Sequence, residues 1–374
     1  MSDLVNHVEK MRSNILAMNS LTGFSVVIVC CSNSFLSNYW QKRLEDGRGS
    51  VIAQDTMVLT VFEDWPGGAG NGLGTLYAFQ NAAKLAKEKH GIDLNEQLQS
   101  GKISVGLYHT AGKGTRLAPL PGSENNNKPG VKLPGIINVG GKSVCITILE
   151  AVIKQTGCYA SSRPGRVSVF WGDQIFIPTV DVAYTCTDHV DILCSLGPML
   201  TAEEWTAKGM DKYGLIAKMG DGRGAQVEKV DHATAVELLS GLGEIKAVGA
   251  SLGSFSVSAT MLSALLAEFA AELAAKAGKL DTDPHFWMPM TLERPSYISL
   301  MTKKKVEAET SGAHWDRMRA MLEREGLLQF PGADGRDPSI TGLFGACDVG
   351  ENIYWWDYGQ LRYFQKYCLL ITEK

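Results

Sequence analysis

The sequence predicts an α/β fold, a sheet of buried strands alternating with helices. Three observations predict it. Residues 24–31 (FSVVIVCC), 103–108 (ISVGLY) and 166–170 (RVSVF) are short apolar runs of the kind buried on both faces of a parallel sheet. The stretches between them carry helical periodicity. The second and third runs also open into glycine turns that bear charge, GKGTR and WGDQ. In open α/β sheets ligands bind beyond the carboxyl ends of strands, where such turns lie.

Composition narrows the classes. A chain of 374 residues is long enough for one large α/β domain or two. The net charge of −4 gives no bulk attraction to nucleic acid or an anionic membrane, so neither is an expected partner. No stretch approaches the ~20 apolar residues of a membrane span. The first residues, MSDLVNHVEKMRSN, lack the apolar core of a signal peptide, which predicts a cytoplasmic protein. The eight cysteines are scattered without zinc spacing and read as reduced thiols.

In chain order, residues 1–20 predict a helix, 24–31 a strand, 34–44 a helix and 57–63 a strand. The run PGGAGNGLGT at 66–75 leads into a helix over 76–90. A glycine loop at a helix N-terminus is a natural anion or nucleobase site, and equally a flexible loop. Residues 145–157 predict a helix. A hairpin follows, YGLIA at 213–217 and AQVEK at 225–229, then a strand over 248–257 and an Ala/Leu-rich helix over 259–278. The aromatic cluster at 285–287 reads as core or as pocket wall. Residues 303–309 and 314–326 read as solvated helices and 332–337 as a loop.

The chemistry concentrates after the strand at 103–108. Gly112 and Gly114 let the backbone approach a ligand, and the turn's amides suit phosphate oxygens. Arg116 supplies a bidentate cation and Lys128 a point charge. Taken alone this is also a glycine loop with two surface cations. Asp173, at the carboxyl end of a strand, offers a hard oxygen ligand suited to Mg²⁺ on phosphates. Asp357, inside the aromatic run YWWDYGQ, is a carboxylate that burial would penalise unless paired or metal-bound.

Together these stretches resemble the sugar-1-phosphate nucleotidyltransferases. Ala111-Gly112-Lys113-Gly114-Thr115-Arg116-Leu117-Ala118-Pro119-Leu120, then Lys128-Pro129 and Leu133-Pro134, is similar to their GGxGTRLxPLT…KP…LP signature. Ala111 replaces a common glycine, and Asn125 to Asn127 form an insert before the lysine. GNGLGTLYAF resembles the family's base-binding element, VFWGDQIF its metal-binding LVLGDNIF, YGLIAKMGDGRGAQVEKV its YG…VEKP passage with Val230 in place of proline, and YWWDYGQ its YWxDxGT. The base element precedes the signature, a permuted order that resembles the fucose-1-phosphate guanylyltransferases.

The resemblance implies a Rossmann-like mixed sheet of the nucleotidyltransferase (GT-A-like) type, permuted in strand order and without a β-helix domain. It implies one domain over 1–374, in which 24–100 carries the base loop as a displaced part of the sheet and 101–365 the signature, metal and sugar elements. The implied reaction moves a nucleotidyl group from an NTP, with GTP or UTP favoured, to a sugar 1-phosphate. Arg116, Lys128 and Asp173 would be catalytic; Asp173 and Asp357 would hold Mg²⁺. Gly72, Gly74, Thr75, Ala111, Gly112, Lys113, Gly114 and Thr115 would bind the nucleotide. Glu228, Lys229 and Gly253 would bind the sugar phosphate. A non-sugar phosphate or phosphonate acceptor, and a non-catalytic nucleotide-sugar-binding paralogue, are the competing readings. Asp281-Thr282-Asp283 has the D-x-D form of glycosyltransferases but reads as a cap or turn. A homo-oligomer stays open.

Overall fold

A computed structural model describes residues 2–112, 115–328, 342–351 and 353–372. Among these the strands are β1 (Val26–Cys31), β2 (Met57–Phe62), β3 (Val105–His109), β4 (Lys132–Val139), β5 (Lys142–Thr147), β6 (Arg166–Trp171) and β7 (Gln174–Ile177). They continue with β8 (Asp188–Gly197), β9 (Gly214–Met219), β10 (Gly224–Glu228), β11 (Ile245–Ser258), β12 (Gly342–Asp348) and β13 (Tyr354–Asp357). The class is α/β with parallel and antiparallel pairing, as expected at that level. Where the sequence led to one domain over 1–374, the chain divides into two compact units. The first unit comprises Met1–Asp64, Tyr77–Tyr184 and Asn352–Lys374; the second comprises Trp65–Leu76 and Thr185–Glu351. No helix among the described residues is long and apolar enough to cross a membrane.

In the first unit β6, β3, β1 and β2 lie side by side in that order, all parallel. Every residue of β1 is buried, which is why the run carries no polar alternation. The helix Ser34–Asp46 follows, its N-terminus held by the Asn33 side chain accepting from the Leu36 amide. The chain leaves β1 for β2 on one side and returns to β3 on the other. The carboxyl ends of β1 and β3 therefore flank a topological switch point, the position where such sheets bind ligands. Thr110 ties that end together: its amide and hydroxyl both donate to the Cys30 carbonyl, at 2.9 and 2.8 Å. Two antiparallel pairs complete the unit, β4 with β5 and β7 with β13.

Part of the helix expected over 145–157 is strand. The chain stays extended to Thr147, and the helix runs Ile148–Thr156. A capping box sets the boundary, the Thr147 hydroxyl accepting from the Glu150 amide while the Glu150 carboxylate takes the Thr147 N–H. Arg43 neutralises that buried carboxylate at 2.6 Å.

In the second unit the order is β10, β9, β11, β8, β12, antiparallel except for the parallel pair β8 and β12. The expected hairpin and the strand over 248–257 are both present. β11 is irregular between Ser251 and Phe255, and Gly253 within that bulge has φ +75. The expected helix over 259–278 is two helices, Ala259–Glu268 and Ala270–Ala275, broken at the fully buried Phe269. A core of Trp205, Leu215, Val227, Leu239, Met288 and Tyr297 underlies one side of this sheet.

Candidate functional site

The first unit gathers four charged side chains from four separate stretches. Arg116 lies in the single 3₁₀ turn Thr115–Leu117 that follows β3, and is exposed. Lys128 opens the turn Lys128–Gly130. The asparagine insert explains how that turn is held. Asn125 and Asn126 adopt left-handed backbone (φ +55 and +59), which asparagine tolerates better than most residues. Asn127 is buried and accepts from the Trp40 indole at 3.2 Å.

Asp173 sits in the tight turn between β6 and β7, and Lys128 Nζ donates to its Oδ2. Both side chains are only 16% exposed. Asp357 ends β13 opposite Gln174 of β7, so the strand pair carries the two aspartates to one place. The Tyr358 amide donates to the Asp173 carbonyl at 2.9 Å and the Gly359 amide to Asp357 Oδ1 at 2.7 Å. A Cβ at Gly359 would lie 2.7 Å from Asp357 Oδ1 and 3.0 Å from Asp173 Oδ2. The two carboxylates thus face one small volume. Burial and then the Asp173 charge push the Asp357 carboxyl up, while Lys128 and Arg116 pull it back.

Two carboxylates facing one small volume are a donor set of the kind that Mg²⁺ takes. Among the described residues no three His, Cys, Asp or Glu side chains gather. Mg²⁺ takes one or two carboxylates and fills its remaining positions with water and substrate phosphate oxygens. If the pair holds a divalent ion, Gly359→Ala should crowd it and weaken Mn²⁺ binding by ~10-fold or more in an EPR titration. Unchanged affinity would mean that the carboxylates share no ligand. His109, at the end of β3, lies against Trp171 with the rings tilted and their centroids 5.4 Å apart. Burial lowers its pKa to about 4, so it adds no charge at neutral pH. Ala111 is partly buried, Gly112 and Thr115 are exposed, and Lys113 and Gly114 lie outside the described residues.

The glycine run at 66–75 differs from expectation. The helix starts at Gly70, not at 76, so Gly72, Gly74 and Thr75 are helical and buried. Its first amides are already bonded. Gly72 and Leu73 donate to the Leu280 carbonyl, and Asn71 donates to Asp281 Oδ1 at 2.9 Å. The Thr75 hydroxyl donates to the Asn71 carbonyl at 2.7 Å. Gly70 has φ +74, and a Cβ there would meet the Leu280 oxygen at 2.5 Å; one at Gly72 would meet it at 2.9 Å. The expected anion site at this helix N-terminus is therefore filled by the chain's own carbonyl and carboxylate. The D-x-D form splits accordingly: Asp281 caps, as the sequence implied, while Asp283 does something else.

Glu228, Lys229 and Gly253 belong to the second unit. Lys229, at φ +54, donates to Glu228 Oε1 at 2.5 Å, and that bond raises its pKa. Lys304 approaches Glu228 Oε2 at 3.9 Å. Asp283 opens the π-helical turn Asp283–Trp287, within which Phe286 and Trp287 are core. Desolvation, then the Glu228 charge, raise its carboxyl from 3.8 to about 6. Gln226, two residues before Glu228 and on the same face of β10, is hydrogen-bonded to Asp283 and draws that carboxyl partly back down.

No protein-family model and no curated protein matches this chain.

The Asp283 shift has a measurable sign. Between pH ~4 and ~6 the folded chain keeps a proton that the unfolded chain has lost, so stability falls as pH rises through that window and then levels. Asp283→Asn should flatten that part of a urea-midpoint profile followed by tryptophan fluorescence. Identical profiles for the two proteins would contradict the shift.

Proposed function

We propose that the protein transfers a nucleotidyl group from a nucleoside triphosphate to a sugar 1-phosphate, releasing pyrophosphate. The observation that carries the reading is the convergence of Arg116, Lys128, Asp173 and Asp357 beyond the ends of β3, β6 and β13. Two cations and two carboxylates in one small site suit a metal-bound triphosphate better than any single-charge ligand. The resemblance of the surrounding stretches to sugar-1-phosphate nucleotidyltransferases supports the same reaction.

In this reading Arg116 grips the β- and γ-phosphates and stabilises charge on the departing pyrophosphate. Lys128 turns from Asp173 towards the α-phosphate and draws it to the incoming phosphate oxygen. Asp173 and Asp357 would hold Mg²⁺, which when bound neutralises phosphate charge and polarises the α-phosphorus. The attacking oxygen belongs to a phosphate monoester that is already anionic, so no side chain has to remove a proton. Positioning and charge neutralisation supply the catalysis. Glu228 would accept from sugar hydroxyls and Lys229 would meet the sugar phosphate. The nucleotide turn would comprise 111–116. Gly72, Gly74 and Thr75 enter only by resemblance, since the chain itself occupies the amides of 71–73.

Calorimetric titration with ATP, CTP, GTP and UTP tests this, with and without Mg²⁺. Mg²⁺-dependent binding led by GTP or UTP, and lost in Arg116→Ala, is the expected result. Binding of no triphosphate, or binding indifferent to Mg²⁺ and to Arg116, would overturn it.

A further inference from the structure

We propose that the groove along the outer edge of β2 is a nucleoside site, in which the Thr60 carbonyl and the Phe62 amide hydrogen-bond one edge of a nucleobase. The site is separate from Arg116, Lys128, Asp173 and Asp357 and does not depend on the reaction proposed for them.

The groove lies within the first unit and has a volume of about 340 Å³. Small-molecule sites fall in the range of ~300–1,000 Å³. Its floor is β2, and its walls are the helix Ser34–Asp46 and residues 77–89 of the helix Gly70–His90. β2 is the last strand of its sheet and pairs with β1 alone. The Met57 and Glu63 amides donate inward, to the Ser25 and Cys31 carbonyls. Backbone groups alternate in direction along a paired strand, so those of Val58, Thr60 and Phe62 point outward.

Two contacts cover this outward row on either side of one gap. The Gln41 carboxamide lies across Val58 and Thr60. Its Nε2 donates to the Val58 carbonyl at 2.9 Å, and its Oε1 accepts from the Thr60 amide at 3.0 Å. Gln41 is itself held, donating to Glu45 Oε1 at 2.7 Å. At the other end the Asp64 amide donates to the Phe62 carbonyl at 3.1 Å. Between them the Thr60 carbonyl and the Phe62 amide have no partner among the described residues, and both residues line the groove.

Gln41 shows what chemistry fits such a gap. Its flat carboxamide, a donor beside an acceptor, bridges one carbonyl and one amide of this edge, and the next carbonyl and amide offer the same pairing. An added peptide strand draws its affinity from a run of main-chain bonds, and here the groups on both sides are already taken. A flat ring with a donor and an acceptor on adjacent atoms needs only the one gap. Nucleobases carry such an edge: N3–H beside O4 in uracil, N1–H beside O6 in guanine, N6–H beside N1 in adenine. The walls suit the rest of a nucleoside. Phe62, 41% exposed, and Leu85 supply apolar surface on which a ring can stack. Asn81 Nδ2 donates to the Tyr77 carbonyl at 3.0 Å, which fixes the amide and leaves its oxygen to accept from the ligand. Lys89 lies on the same stripe of the helix, two turns beyond Asn81, and supplies a cation for a phosphate at that end.

The test titrates the full chain by calorimetry with adenosine, cytidine, guanosine and uridine, and with the base-methylated form of each that lacks the donor. At least one nucleoside should bind saturably, and its methylated form ~10-fold or more weakly. Hydrogen exchange read by mass spectrometry should show that nucleoside slowing the Phe62 amide. Phe62→Pro removes this N–H from the outer edge of an edge strand, where proline is tolerated, and should abolish binding. Phe62→Ala keeps the amide, so it should weaken binding while preserving the response to methylation. Arg116→Ala should bind the nucleoside as wild type does, which separates this groove from the triphosphate site. If Phe62→Pro fails to fold, Asn81→Trp fills the groove from the helix wall and should abolish binding in its place. No nucleoside bound, equal affinity for the methylated forms, or binding lost in Arg116→Ala and intact in Asn81→Trp would overturn the proposal.

Discussion

Replacing Lys128 by alanine is expected to lower nucleotidyl transfer by about 10²–10³-fold with the fold intact. In the proposed reaction the lysine, held by the turn after the asparagine insert and bonded to Asp173, exchanges that carboxylate for the α-phosphate. A cation preorganised in a partly buried site stabilises transition-state charge without reorganising solvent, and removing it acts on turnover rather than on binding alone. Its loss leaves Asp173 without its counter-ion, yet both groups keep some exposure, which limits the structural cost. The effect should appear in kcat, with a smaller change in the KM for the triphosphate, and Lys128→Arg should recover little because its fork does not match a point contact. Turnover within about three-fold of wild type, in a protein with an unchanged melting curve, would remove Lys128 from the machinery.

The second large effect is on stability. Gly249→Ala is expected to destabilise the second unit by at least ~3 kcal/mol. Gly249 lies in β11 opposite Leu196 of β8, beside Ser195. A methyl there would overlap the Ser195 carbonyl oxygen, which is strand backbone and has no rotamer by which to move aside. Relief requires separating β11 from β8 at the centre of the unit's sheet. The readout is the urea midpoint by tryptophan fluorescence, with Trp205 and Trp287 both buried in that unit. A midpoint unchanged from wild type would mean that the two strands approach less closely than this structure has them.

Much of the first unit was legible because its signals are local. A short, β-branched apolar run such as VVIVCC favours a strand buried on both faces, and the helix after it begins at an asparagine cap. Arg116 and Asp173 stood out because each follows a strand and sits near a glycine. What the sequence did not disclose depends on contacts far along the chain. Gly72, Gly74 and Thr75 read as ligand-facing, but the missing side chains of Gly70 and Gly72 admit the Leu280 carbonyl, which no local pattern announces. Strand β5 was hidden because KSVCIT runs without a break into the helix that Thr147 caps. Asp283 looked like half of a D-x-D turn, and only the π-helical turn and the hairpin face reveal its neighbours.

The most direct measurement follows the α-phosphorus. Purified protein is incubated with Mg²⁺, an α-³²P-labelled nucleoside triphosphate and each hexose 1-phosphate, and the products are separated by thin-layer chromatography. The account predicts label in a sugar-linked nucleotide that resists alkaline phosphatase, formed with stoichiometric pyrophosphate and only when both substrates are present. Label that stays in the triphosphate with every pairing, or appears only as nucleoside diphosphate or monophosphate, would contradict it.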